Sequence, residues 1–271
     1  MFSIKNKIVL ALILFIMIPM MLLGYFMLSL YKDSIISSER VKLREIADKK
    51  VDQIALYVDE RLRNIRLLGI SEKIIHDLKS FSHAYDTFGK TSPEYIKLDT
   101  AKKDYYNQFI ITGDYYDFFL INAKGDIVFT VKHESDFGTN LYDGKYRNTG
   151  LAYVVKSAAT LLEPDFSEYQ MYEPSSEPAA FVATPLLDQG RLIGVVALQV
   201  SSRRFFDVIT DSTGLGETGE TVAAISEGDH AVFLSPLRRD PNATMKKRLP
   251  LDRTGDTVIP IFLALRGKRG S

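Results

Sequence analysis

The sequence contains no cysteine, so it has no disulfide framework, no thiolate metal site and no cysteine nucleophile; either redox compartment is open to it. It also lacks an excess of charge. Lys+Arg and Asp+Glu balance at 34 each, and the basic clusters Lys246 to Arg248 and Arg266 to Arg269 are short. No global field draws the chain to nucleic acid or an anionic surface. Its four histidines, His76, His83, His133 and His230, are scattered without an HExxH or other ligand spacing, so no metal site is expected. The GxSxG elbow and the phosphate-cradling GxxxxGKS loop are missing too, and the carboxylates fall in mixed-charge runs that read as solvated faces. A distant carboxylate pair of the glycosidase type stays open by spacing alone. No cofactor and no enzymatic activity are expected.

What is present begins with Ile8 to Leu30, about 23 residues without a charge, which as a helix would span roughly 34 Å, enough for a bilayer core. This reads as an uncleaved transmembrane helix over 8–30 after a short cytoplasmic segment, 1–7. Its rival is a cleaved signal peptide with Lys5 and Lys7 as the basic region, but the run is long and no small-x-small site follows it. Pro19 sits mid-span, where bilayer helices tolerate it. The positive-inside count points the wrong way for an external domain, since Lys32, Arg40, Lys42, Arg44, Lys49 and Lys50 follow the span. Long C-terminal domains translocate largely regardless of such charge, and orientation stays open.

Asp33 to about Leu68 reads as one helix with an apolar stripe at Leu43, Ala47, Val51, Ile54, Val58, Leu62 and Ile65. Its eleven-residue rhythm keeps the stripe on one side of a nearly straight helix. A stalk packed on its own domain and a homodimer interface are both compatible with it. After a polar break at Ser80 to Ser92, Pro93 to Ile111 is helical, completing a stalk and helical bundle over 31–112. The period then changes. Tyr115 to Asn122, Asp126 to Val131, Ala179 to Leu187 and Leu192 to Ser201 are β-branched or aromatic runs bounded by turns such as Ala123-Lys124-Gly125. With a crossover helix at about Thr149 to Leu162, the order predicts an α+β fold around an antiparallel sheet.

The strand region concentrates aromatics, among them Tyr116, Phe118, Tyr146, Tyr169, Tyr172 and Phe181. Most of the phenylalanines suit core packing. Buried tyrosines need hydrogen-bond partners and suit a pocket that is apolar in body and polar at a few points.

Asp117-Phe118-Phe119-Leu120-Ile121-Asn122, Gly125-Asp126-Ile127-Val128, Gly138-Thr139-Asn140-Leu141, Pro178-Ala179-Ala180-Phe181 and Ile193-Gly194-Val195-Val196 together resemble the membrane-distal module of double Cache domains, the extracytoplasmic sensors of bacterial transmembrane receptors. The resemblance covers about 32–240. It implies a PAS-like distal module over 113–212 and a partial membrane-proximal module over 213–271, opened by Gly214-Leu215-Gly216-Glu217-Thr218-Gly219-Glu220. That turn is formally GxGxxG, but a helix-like segment precedes it and a strand-like one follows, the reverse of a dinucleotide site.

The resemblance further implies a bacterial inner-membrane receptor, single-pass in this chain, with an extracytoplasmic domain that senses a small molecule and signals through the stalk helix. The expected partners are that ligand, the membrane and, on one reading of the stalk, a second copy; nucleic acid is not among them. Arg147 takes the place of the family's arginine that holds a ligand carboxylate, and Tyr169 or Tyr172 that of a following tyrosine. The family's tryptophan-tyrosine pair falls on Thr149 and Gly150 in a chain with no tryptophan, and the late-strand aspartate that receives an ammonium falls on Gln199. An α-amino acid is therefore disfavoured. A small carboxylate or polar metabolite is expected, bound by Tyr116, Phe118, Tyr146, Arg147, Tyr169, Tyr172, Phe181 and Gln199. The family's output domain is missing, so a fragment or a prematurely stopped receptor is expected. Val258 to Leu265 is too short for a second span. A membrane-tethered interaction module without a ligand is the alternative.

Overall fold

The computed structural model describes residues 4–251, 260–265 and 267. The chain divides at Lys49/Lys50 into two compact units. The first is helical and belongs to α1, Ile4–Gly69, which contains Pro19. From Leu12 to Leu30 its large apolar side chains are exposed, and its most apolar window has a mean hydropathy of 2.3. Among the described residues this helix alone is long and apolar enough to cross a membrane. Such a surface is costly in water and neutral in hydrocarbon.

The second unit contains residues 50–69 of α1, then α2 (Glu72–Phe88) and α3 (Pro93–Gly113). Helix α3 begins where Ser92 accepts from the Tyr95 amide and Pro93 presets the first turn; Asp114 ends it in a left-handed conformation. Next come β1 (Tyr115–Asn122), β2 (Ile127–Thr130), α4 (Gly150–Leu161), β3 (Asp165–Phe166), β4 (Gln170–Tyr172), β5 (Glu177–Asp188) and β6 (Arg191–Val200). They form an antiparallel sheet in the order β2-β1-β6-β5-β3, with β4 also paired to β5. In the β1–β2 turn the Asn122 side chain accepts from the Lys124 and Asp126 amides, and Gly125 supplies the positive φ. Helix α5 (Ser202–Thr210) leads to a second sheet, β7 (Ala224–Glu227), β8 (His230–Phe233) and β9 (Arg248–Pro250), and to α6 (Pro260–Leu265). The fold is α+β. The expected apolar segment at 258–265 is described only from Pro260, where it is helical; Val258 and Ile259 lie outside the described residues.

Strand alternation divides the core in two. Phe118, Leu120, Val182, Val196 and Leu198 face α1–α3, while Phe119, Ile121, Phe181, Ala183, Val195 and Ala197 face α4.

Two expectations need correction. The stretch read as a polar break from Ser80 is the second half of α2, with Ile74, Leu78, Phe81 and Ala84 buried; the chain turns only at Gly89, φ 80°. The charge that hid this stripe is Asp77, fully buried, which accepts from Lys73, Lys102 and Tyr106, each at 2.7 Å. The stripe on α1 also turns out differently. Ile54, Val58 and Leu62 are partly buried and Ile65 fully, but Val51 is 63% exposed, and the deepest positions beside Ile65 belong to two cations, Lys50 and Arg61.

Candidate functional site

On the α4 face of the large sheet, polar side chains are sunk in an apolar surround. Register sets Asp117 of β1 opposite Gln199 of β6, and Gln199 opposite Phe181 of β5, so these three form a row across the centre of the sheet. All three are fully buried. One Asp117 carboxylate oxygen accepts from the amides of Phe118 (2.7 Å), Val131 (2.9 Å) and Lys132 (3.2 Å), and the other from the Thr130 hydroxyl.

Asp136, in the loop after β2, joins from the side. Its Oδ2 accepts from the Tyr172 hydroxyl at 2.6 Å, and Tyr172 packs edge-on against Phe181 with ring centres 4.8 Å apart. Tyr146 lies 6.2 Å from the Tyr172 ring and shares a 2.7 Å hydrogen bond with Ser135. The Gln199 amide nitrogen donates to Ser175 Oγ at 3.0 Å, in the turn between β4 and β5.

Two acceptors in this island, Asp136 Oδ1 and Gln199 Oε1, are buried without a hydrogen-bond partner. Burial pushes the Asp117 carboxyl up to about 7, with a further push from the Asp136 charge and opposition from its own donors. Burial likewise raises Asp136 to about 6, against the Tyr172 hydrogen bond and with the charge of Glu134 behind it. Tyr172 is held protonated by burial and the neighbouring Asp136, which keeps it a donor.

Of the eight residues expected to bind a ligand, the structure gathers Tyr146, Tyr172, Phe181 and Gln199. Tyr116 stands on the rim, half-buried, donating to Glu134 Oε1 at 2.7 Å. Phe118 is on the opposite face of the sheet, 4.4 Å from the Tyr106 ring, because odd and even positions of β1 point to different layers. Tyr169 is stacked on Phe205 at 4.6 Å in a separate cluster with Ile209 and Leu234, so of the two tyrosines considered only Tyr172 reaches the island. Arg147 is exposed, and its guanidinium reaches only the Gly144 carbonyl, at 3.4 Å.

The reading from sequence missed Asp117, Asp136 and Ser175. Asp117 carried a signal: it is a lone carboxylate in an otherwise aromatic and aliphatic strand. Among the described residues no cluster of three or more His, Cys, Asp or Glu could hold a metal ion. A separate cavity of 670 Å³ lies by the small sheet and is lined mainly by apolar residues, including Phe205, Phe233, Leu249 and Ile261.

No family model matches the sequence, and no curated protein matches it. Among solved structures the chain is similar to sensor domains of bacterial receptors. The ligand-binding domain of the Pseudomonas aeruginosa amino acid chemoreceptor PctC, in complex with GABA, aligns with a TM-score of 0.48 at 13% identity, covering 76% of this chain and 78% of that one. The Vibrio cholerae histidine kinase DctB sensor domain aligns at 0.46 and 13% identity, covering 61% and 57%. The ligand-binding domain of the Pseudomonas fluorescens chemoreceptor CtaA with L-serine aligns at 0.44 and 14%, covering 76% and 74%. The chain thus spans less than two thirds of the DctB domain it matches.

Proposed function

We propose that this chain holds the extracytoplasmic sensing portion of a bacterial inner-membrane receptor, with a distal module over 113–212, residues of a proximal module from 213 onward and an N-terminal span. A small polar molecule binds on the α4 face of the distal sheet, and the response leaves through α1. The observation that carries the reading is the polar island of Asp117, Asp136, Tyr172 and Gln199. An ordinary sheet core would fill those positions with apolar side chains, since each buried polar group needs a partner to offset its desolvation.

The route to α1 is supported by the sheet itself. The strands that carry Asp117 and Gln199 present Phe118, Leu198 and Val200 to the helical layer on their other face, in the cluster that holds Ile65 of α1. A ligand that shifts β1 against β6 shifts the surface on which α1 rests. Differential binding to two arrangements of that contact is enough to move a population.

A thermal-shift screen of the detergent-solubilised chain against a metabolite library tests the reading, because a ligand stabilises the state that binds it. A saturable rise with at least one small molecule, lost on Gln199→Leu, is expected. A screen without a hit, combined with concentration-dependent self-association, favours instead a membrane-tethered pairing module. The exposed Val51, Leu56 and Leu67 on α1 give that second reading its footing.

A further inference from the structure

Away from the island, beside α1, two more buried polar groups have no hydrogen-bond partner: the Nε–H of Arg61 and the hydroxyl of Tyr169. Arg61 is 2% exposed and Tyr169 7%. The Arg61 guanidinium donates through another nitrogen to the Gly113 carbonyl and rests against the Tyr57 and Tyr115 rings, 4.7 and 4.6 Å from their centres. Burial works against its charge, and what upholds it are the Tyr115 and Tyr57 phenols; among the described residues it has no carboxylate partner. A buried cation ordinarily has a counter-charge, because desolvation is otherwise uncompensated.

Both groups stand behind the walls of one groove. Between α1 and α5 lies an opening of 380 Å³, of which Tyr57 forms one aromatic wall and Phe205 another. Arg61 packs on the first ring, and Tyr169 stacks on the second at 4.6 Å. Burial raises the Tyr169 phenol, the Tyr57 phenol adds to the rise and the Arg61 charge opposes it, so the guanidinium acts on this hydroxyl. Tyr57 is partly buried and donates to the Ser201 carbonyl at 3.3 Å, the long end of the hydrogen-bond range, so a rotation of its ring that opens Arg61 to the groove gives up a weak bond. Elsewhere the lining is apolar at Ile54, Leu56 and Val208, and charged at Glu60, Asp207 and Arg204. Arg204 is committed to Asp114, with Nε 3.4 Å from Oδ2. A dianion in the groove would face Glu60 and Asp207; a single negative charge placed deep, beside Arg61, would not need to approach them closely.

We propose that the groove between α1 and α5 is a second binding site, for a small monocarboxylate with an apolar body, whose carboxylate oxygens accept from Arg61 Nε and the Tyr169 hydroxyl while the body lies on Ile54, Leu56 and Phe205. The ligand supplies the counter-charge that Arg61 lacks through a charge-assisted hydrogen bond, and gives the phenol an acceptor. The site is independent of the island: it uses none of its residues, and one of its walls is α1 itself.

The test uses the full-length chain in detergent at constant ionic strength and neutral pH, titrated separately with benzoate, benzyl alcohol, benzylammonium and chloride and read by melting temperature and calorimetry. Saturable stabilisation by benzoate is expected, with the other three at least tenfold weaker. Benzoate affinity should fall at least fivefold in Tyr169→Phe, which removes an unpaired hydroxyl, and at least tenfold in Arg61→Met, and should be unchanged in Arg203→Ala, an exposed arginine on the same α5. Circular dichroism establishes folding, and if Arg61→Met does not fold, Tyr169→Phe decides. Parent-like benzoate affinity in folded Tyr169→Phe overturns the proposal. So does a benzoate response that survives in Tyr169→Phe and is lost in Gln199→Leu, which assigns it to the island. Equal stabilisation by chloride or benzyl alcohol overturns the carboxylate assignment, and no response to benzoate means that no monocarboxylate reaches Arg61 and the site is withdrawn.

Discussion

Lys50 and Arg61 stand about three turns apart on the same face of α1, and each closes the C-terminal end of another helix. The Lys50 ammonium donates to the carbonyls of Val208 (2.9 Å), Ile209 (3.1 Å) and Asp211 (2.5 Å) at the end of α5. The Arg61 guanidinium donates to the Gly113 carbonyl (2.7 Å) at the end of α3 and lies 4.7 and 4.6 Å from the ring centres of Tyr57 and Tyr115. The final carbonyls of a helix have no partner within it and carry partial negative charge, so a cation there satisfies both needs. Part of α1 is therefore docked by two charged pins rather than by an apolar seam alone.

Replacing Lys50 with Met keeps the apolar stem and removes the pin. Three carbonyls lose their donor, and the expected loss is about 2 kcal/mol, a drop of several degrees in melting temperature. Arg61→Met removes a hydrogen bond and two ring contacts and is expected to cost about 3 kcal/mol. If α1 carries the response, Lys50→Met also reduces the ligand-dependent change in an α1 spin-label or crosslinking readout, whereas Val51→Ser does not. Equal melting temperatures for Lys50→Met and the parent chain would contradict the pin.

The two carboxylates of the island give the protein a pH dependence of definite sign. Asp117 and Asp136 are raised to about 7 and about 6, above the ordinary value of 3.8, so the folded state holds more protons than the unfolded state across that interval. Stability contributed by the protonated forms is present at the acid end and is lost as pH rises from about 4 to about 7. For Asp136 the loss is on the order of 2–3 kcal/mol. Asp136→Asn should raise the ligand-free melting temperature at pH 7.5 and flatten its slope between pH 5 and 7. A variant less stable than the parent at pH 7.5 would show that Asp136 is held as a satisfied anion.

Asp77 has the opposite sign. Burial alone would raise its carboxyl, but donors from Lys102, Lys73 and Tyr106 outweigh that and hold it below the ordinary carboxylate range. Its stabilisation is present above the ordinary value and disappears as pH falls through the lowered one. Asp77→Asn is expected to cost roughly 2–4 kcal/mol at neutral pH, since two ammonium groups lose a common partner. The difference from the parent chain should shrink when melting is followed down to pH 3. A constant difference across that range would point to lost packing instead.

How much of this was legible in the sequence follows from what each residue had to announce. The strands β1, β5 and β6 and the helices α3 and α4 were marked by β-branched or aromatic runs, turn residues and caps such as Ser92 and Thr149, all of them local signals. Helix α2 was hidden because Asp77 interrupts its apolar face and is compensated by Lys102, 25 residues away. The island was half legible: the tyrosines suggested a polar spot in an apolar face and the resemblance supplied Gln199, but Asp136 is recruited by Tyr172 across 36 positions, which no local pattern can show. Arg147 was drawn in by resemblance, and the backbone between Gly144 and Thr149 leaves it exposed.

Phe118 separates the two layers of the sheet experimentally. It is fully buried against Tyr106, Phe109 and Phe129, and its neighbour Asp117 is on the other side. Truncation to Ala should cost roughly 3–5 kcal/mol through lost transfer energy and a cavity among three rings. Phe118→Leu retains most of the volume and should cost much less. Because the side chain never reaches the island, a folded Phe118→Leu protein is expected to bind ligand within about twofold of the parent, whereas Phe181→Leu, on the island side beside Tyr172, should weaken binding at similar cost to stability. The pair of measurements compares two phenylalanines of opposite orientation on β1 and β5, the strands on either side of β6. Equal effects on binding would mean that the ligand contacts neither face as described; a larger effect at Phe118 would place the site among the helices.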